Sequence, residues 1–111
     1  MIVAEEDGKA VAYASLSSYR TKEAYSATVE LSVYVHPDYR KRGIARSLMI
    51  EILSMAREDA SIHTVISVIT GGNTGSINLH EELGFLHCGT MKEVGVKFGK
   101  FLDIVNYQMM V

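Results

Sequence analysis

The 111-residue chain has one cysteine, one proline and no excess of positive charge. The lone thiol, Cys88, cannot close an internal disulfide, which fits a reducing compartment. No apolar run approaches the length of a membrane-spanning helix, and the first residues show no secretory leader pattern. The expected location is the cytoplasm, with no membrane partner. Eleven Lys and Arg face thirteen Asp and Glu, a formal net charge of −2. Non-specific nucleic-acid binding calls instead for a strong positive field. Nor do aromatic residues interleave with the basic ones, as a single-strand stacking platform requires. His36, His63 and His87 stand at no metal-ligand spacing with one another or with Cys88, beyond the adjacent pair His87–Cys88, so no metal is expected. Hydrophobic content of 48% and charged content of 22% are ordinary for a globular protein. The length allows one domain over residues 1–111.

The most informative stretch runs from Val29 to Met49. Val29, Leu31, Val33 and Val35 alternate with Glu30, Ser32, Tyr34 and His36, which is a strand with one apolar face. Pro37 has no amide hydrogen and stops the strand near His36. Arg40-Lys41-Arg42-Gly43-Ile44-Ala45-Arg46 then leads into a helix expected from about Arg42 to Asp59. Its apolar positions Ile44, Ala45, Leu48, Met49, Ile52, Leu53 and Ala56 share one face. A helix start offers free N–H groups and a partial positive charge. Surrounded by basic side chains, with Gly43 permitting close approach, it suits a phosphate or diphosphate.

Around this unit the remaining elements follow in order. Asp7-Gly8 between two strand-like runs predicts a hairpin. Ser17 to Glu23 reads as a loop and Tyr25 to His36 as the third strand. Ile62 to Ile69 is a nearly unbroken β-branched run, predicting a strand buried on both faces. Thr70 to Gly75 is a loop, and a short helix spans about Ser76 to Leu83, capped by Ser76 or Thr74 and closed by Gly84. Phe85 to Lys92 predicts a strand, Val94 to Lys100 a turn, and Phe101 to Met110 a last strand. The fold class is therefore α/β (α+β), in the order β-β-β-α-β-α-β-β. The sheet is mostly antiparallel, with one parallel central pair joined through the first helix.

The spacing Arg40-x-x-Gly43-x-Ala45 after Val33-Tyr34-Val35 resembles the acetyl-CoA signature of the GNAT N-acetyltransferases. The resemblance implies a GNAT fold with two packed helices. It implies that the amides of Arg40 to Arg46, with Lys41, Arg42 and Ile44 between the signature residues, hold the CoA diphosphate. The backbone of Val33, Tyr34 and Val35 would bind the pantetheine arm. Family members usually carry a further strand and two helices before the hairpin, so the chain resembles about two-thirds of a typical domain. Without those elements it is expected to expose apolar surface and to form a homodimer.

Three further stretches resemble the phosphinothricin and methionine sulfone acetyltransferase branch. They are Ala24-Tyr25-x-x-Thr28-Val29-Glu30, Asn73-x-x-Ser76-x-x-Leu79-His80-Glu81-x-Leu83-Gly84-Phe85, and Gly95-x-Lys97-Phe98-Gly99-x-x-x-Asp103. By that resemblance Glu30 is the base that frees a small amine acceptor of its proton, and His80 assists proton transfer. Asn73 and Ser76 would contact the cofactor, although GGNTG is also a natural turn. Tyr25 would line the acceptor pocket. Lys22 falls where the branch often has an arginine for the acceptor's anionic end; lysine keeps the charge but not the two-pronged fork. Lys97 and Asp103 fit either a pocket or a structural ion pair. Two rival readings use the same residues: a CoA-binding module without turnover, and a basic loop docking RNA or an acidic protein.

Overall fold

The computed structural model describes residues 1–20 and 22–111. Six strands form one sheet: β1 Ile2–Glu6, β2 Lys9–Ser18, β3 Thr28–Val35, β4 Thr64–Thr70, β5 Leu86–Lys97 and β6 Lys100–Met110. Their spatial order is β1-β2-β3-β4-β6-β5. Helix α1 spans Ile44–Glu58 and helix α2 spans Thr74–Glu82. All neighbouring strands are antiparallel except β3 and β4. That pair is parallel because α1 carries the chain back across the sheet between them.

The Asp7-Gly8 hairpin forms as its sequence requires. Both residues have positive φ, 52° and 78°, the combination a two-residue turn of the favoured twist needs. Helix α1 buries Leu48, Met49, Ile52, Leu53 and Ala56, the expected stripe, against β1, β2 and β3. Fully burying one such side chain contributes about 1.5–3 kcal/mol. Facing them across the sheet are Ala12, Ala14, Leu31, Val65, Val105 and Met109. Helix α2 lies on the same side, where its His80 reaches Ser67 of β4 and Glu81 reaches Tyr107 of β6.

Three expectations need correction. Strand β4 is covered on one face only. Val65, Ser67 and Ile69 are buried while Val68 and Thr70 are exposed, because both helices pack on the same side of the sheet. The expected turn from Val94 to Lys100 is mostly strand. Gly95, Val96 and Lys97 pair with β6, and only Phe98 and Gly99 turn the chain, with φ of 52° and 72°. The interruption falls earlier, as a bulge between Met91 and Gly95, where the Glu93 amide donates to the Asp103 carboxylate at 2.9 Å. Finally, α2 is capped by Asn73 rather than by Ser76 or Thr74; its side-chain oxygen accepts the Ser76 amide. Gly84 does take the left-handed conformation expected after that helix, with φ of 100°.

Candidate active site

The parallel pair β3–β4 is zipped only from Thr28↔Thr64 to Leu31↔Ser67. Beyond that point the strands part, β3 staying with β2 and β4 with β6. The direction of the unpaired groups follows from alternation along the strand. The His36 amide donates to the Val11 carbonyl on the β2 side, so the N–H and C=O groups of Val33 and Val35 turn toward the gap. The Arg40 Nε takes the Val35 carbonyl at 3.2 Å and so ties the basic loop to the strand end. The other groups face open space.

A cleft of about 590 Å³ fills this gap on the helix side, within the usual range for small-molecule sites. Its strand wall is Val33, Tyr34 and Val35, and its loop wall includes Tyr39, Arg40, Lys41 and Gly43. The first turn of α1 closes one end with Ile44, Ala45 and Arg46, while Asn73, Ser76 and His80 close the other side. Lys41 and Gly43 both have positive φ, 65° and 76°, which swings the chain sharply into α1. Gly43 is the N-cap, without any side-chain cap; its carbonyl accepts the Ser47 amide. The amides of Ile44, Ala45 and Arg46 therefore lack helical acceptors and open onto the cleft. This is the geometry an anion requires.

The basic residues of the loop divide. Arg40 and Lys41 line the cleft. Arg46 lines it too, but bridges to Glu82 of α2 at 2.8 Å, so its charge is shared across the mouth. Arg42 does not join them. It lies over the Tyr39 ring at 5.0 Å and pairs with Glu6 of β1 at 3.3 Å. The expectation that it contacts the anion is thus not matched by its position.

A smaller cleft of about 250 Å³ continues between the parted strands, lined by Glu30, Ser32, Ser67 and Thr70, and shares Asn73, Ser76 and His80 with the first. Glu30 is half-buried on the face opposite Leu31 and Val33. The opening thus runs through the sheet, from the helix side to the Glu30 side.

His80 is 3% exposed, not a surface histidine. Its Nε2 is 2.7 Å from the Ser67 hydroxyl and its Nδ1 is 2.7 Å from the Ser76 carbonyl. A carbonyl only accepts, so Nδ1 carries the proton and the Ser67 hydroxyl donates to Nε2. Burial holds the imidazole below its usual titration range, partly opposed by the Ser76 carbonyl. The ring packs edge-on against Phe85 at 4.8 Å. Ser67 was missed in the sequence. The available signal was a small hydroxyl at an inward position of a β-branched run. Asn73 uses its side-chain oxygen as a cap at 3.2 Å and lines both clefts.

Lys22 and Tyr25 line neither cleft. Tyr25 ends a short 3-10 turn, Glu23–Tyr25, just before β3, and Lys22 stands at its N-cap position without a side-chain cap bond. Both are exposed. Tyr25 packs edge-on against Tyr19 at 6.3 Å, with the Arg20 guanidinium over both rings.

Acetyl-CoA suits the larger cleft by its donor set: free helix amides and two cationic side chains for a diphosphate, then an unpaired strand for an amide-bearing arm. The chain is also similar to known acetyltransferases. The Acetyltransferase (GNAT) family profile matches residues 1–85. L-amino acid N-acyltransferase MnaT of Escherichia coli is 38% identical over 98% of this chain and 63% of its own length. Phosphinothricin N-acetyltransferase of Alcaligenes faecalis is 38% identical over 96% of this chain and 54% of its own. The crystal structure of a GNAT superfamily phosphinothricin acetyltransferase from Sinorhizobium meliloti in complex with acetyl-CoA superposes with a TM-score of 0.91 at 35% identity. It is covered over 59% of its length by 98% of this chain. The chain thus spans roughly three-fifths of the length of such relatives. A strand pair that parts beside an uncapped helix start, and a family profile matching most of the sequence, lead to one conclusion: the chain belongs to the GNAT family of acetyltransferases.

Proposed function

We propose that this chain carries the acetyl-CoA site and catalytic groups of an N-acetyltransferase for a small amino-acid-like acceptor, of the phosphinothricin or methionine sulfone type. The observation that carries the reading is the through-sheet opening between β3 and β4. The larger cleft, which reaches Gly43 to Arg46, shares Asn73, Ser76 and His80 with the smaller one, which reaches Glu30, and this supports the reading. Acetyl-CoA supplies an activated acetyl thioester there. The residues do the rest. Glu30 accepts a proton from the acceptor ammonium, because only the neutral amine is a nucleophile. The unpaired amides of Val33 and Val35 are donors for charge that develops on the carbonyl oxygen. His80 serves the departing thiolate. Lys22 and Tyr25 meet the acceptor at its outer rim, and the protein works in the cytoplasm as a homodimer.

Several observations support the reading. Relatives at 38% identity are named for acylation of L-amino acids and for acetylation of phosphinothricin. Another, at the same identity, is named for L-methionine sulfoximine and L-methionine sulfone. The first experiment is thermal melting with acetyl-CoA. A ligand at a hundred times its dissociation constant adds about 2.7 kcal/mol to the folded state. For a chain of this size that raises the midpoint by roughly 10 °C. No shift at millimolar acetyl-CoA would reject the cofactor site. Release of free CoA thiol with methionine sulfone, but not without an acceptor, then tests the activity.

A second reading, a CoA-binding module without turnover, is favoured by the exposure of Lys22 and Tyr25 away from both clefts. A clear melting shift with no thiol release across a panel of amino acids would select it.

A further inference from the structure

Both ring nitrogens of His80 are already engaged, one by the Ser76 carbonyl and one by the Ser67 hydroxyl. The imidazole therefore has no free nitrogen to offer a ligand directly. Ser67 lies on β4 at the last paired position before the strands part, is 4% exposed, and lines the smaller cleft beside Glu30. From this geometry we infer that Ser67 is a catalytic residue, whose hydroxyl relays protons between His80 and the cleft. The role rests on the acetyltransferase reading and deepens it.

The proton count is as follows. Glu30 takes the first proton, from the ammonium. Amide formation releases a second from the same nitrogen. The Ser67 oxygen accepts that proton while its own hydrogen passes to Nε2, and the resulting imidazolium keeps its Nδ1–H on the Ser76 carbonyl. The reverse passage delivers one proton to the sulfur that leaves, so serine and histidine end as they began. Four other titratable or charged groups lie around this pair. Glu30 of β3 lines the same small cleft. Tyr107 of β6 packs 6.0 Å from the imidazole, with Glu81 accepting from its hydroxyl at 2.8 Å. Arg46 of α1 lies across the larger cleft. Neither Glu30 nor Arg46 bonds to the imidazole, so Ser67 is its one hydroxyl contact on the Nε2 side among the described residues.

The test uses nitrogen-detected NMR of the His80 ring in the unaltered 111-residue chain, in Ser67→Ala and in Ser67→Thr. The unaltered chain should show the proton on Nδ1 and an accepting Nε2. Ser67→Ala should raise the His80 titration midpoint, since a donor to the neutral ring is lost, and Ser67→Thr should restore it. With acetyl-CoA and methionine sulfone, Ser67→Ala should lower kcat by about 100-fold, the lower end of a general acid–base contribution. The KM for acetyl-CoA should hold, the pH–rate limb should move with the NMR midpoint, and Ser67→Thr should recover most of the rate. A proton on Nε2 in the unaltered chain would overturn the inference, even if neither variant folds. An unchanged kcat and pH profile in Ser67→Ala would overturn it as well. No acetyl transfer by the unaltered chain, with the ring in the stated tautomer, would instead sink the acetyltransferase reading and leave the Ser67–His80 bond intact.

Discussion

The two ends of β3 are built differently. At its carboxyl end, Val33 and Val35, the basic loop and the start of α1 converge on one cleft, and Arg40 is tied to the strand by its own hydrogen bond. At its amino end, Lys22 and Tyr25 stand in solvent on a three-residue turn. Glu30 sits between them, two residues inside the strand. One end presents backbone groups to a cleft, whereas the other presents exposed side chains. Backbone sites are specified by chain direction and φ, so they survive wide sequence change. A side-chain site needs surrounding elements to press it into shape.

Substitutions along β3 can break this contrast. The largest expected effect is at the midpoint: Glu30→Gln should lower kcat at neutral pH by about 100-fold through loss of the base. Acetyl-CoA binding by calorimetry should be unaffected. Equal turnover of the two proteins at neutral and at high pH would remove Glu30 from the chemistry. At the built end, Gly43→Val forces a β-branched residue into the left-handed region, which costs about 1–2 kcal/mol. The space at Gly43 is open, so the cost is conformational. Acetyl-CoA affinity should fall by about tenfold, which is what 1.4 kcal/mol amounts to, with little change in acceptor KM. Asn73→Ala should lower stability by about 1 kcal/mol, the usual value of an N-cap, read from denaturant midpoints. At the open end, Lys22→Ala should raise acceptor KM by no more than about threefold, because exposed charges are screened. A larger rise would mean that the acceptor end is better built than its exposure suggests.

Acidification gives a separate handle on the buried histidine. The folded state holds His80 below its ordinary value of 6.5, so the unfolded chain binds the extra proton first as pH falls. Stability should therefore decline on acidification from about pH 6.5 until the folded protein takes up the proton. His80→Gln should flatten that part of the profile. An unchanged profile would mean that the decline comes from other groups.

Much of this was readable in the residues. The strand from Val29, the stop at Pro37 and the stripe from Ile44 to Ala56 each follow from local chemistry, and local chemistry is what a sequence displays. The departures came from partners far along the chain. Arg42 turns away because Glu6, 36 residues earlier, lies within reach once β1 closes the sheet. Strand β4 has one bare face because two helices chose the same side, which no run of valine and isoleucine can reveal. The Phe98-Gly99 turn lacks the asparagine or aspartate that marks such turns, yet adopts their backbone. His80 is buried because Phe85, just after α2, and Tyr107 of β6 close over it, and the second of these contacts comes from 27 residues away.

The strand pair that ends at Leu31 and Ser67 also makes occupancy legible without any chemistry being run. Amides that look into a gap swap hydrogen for deuterium freely, whereas those already laddered do not. A guest lying along the carboxyl half of β3 would act as a seventh strand of a single molecule's width. Its arrival should slow exchange at Val33 and Val35 while Tyr34, bonded toward β2, keeps its pace.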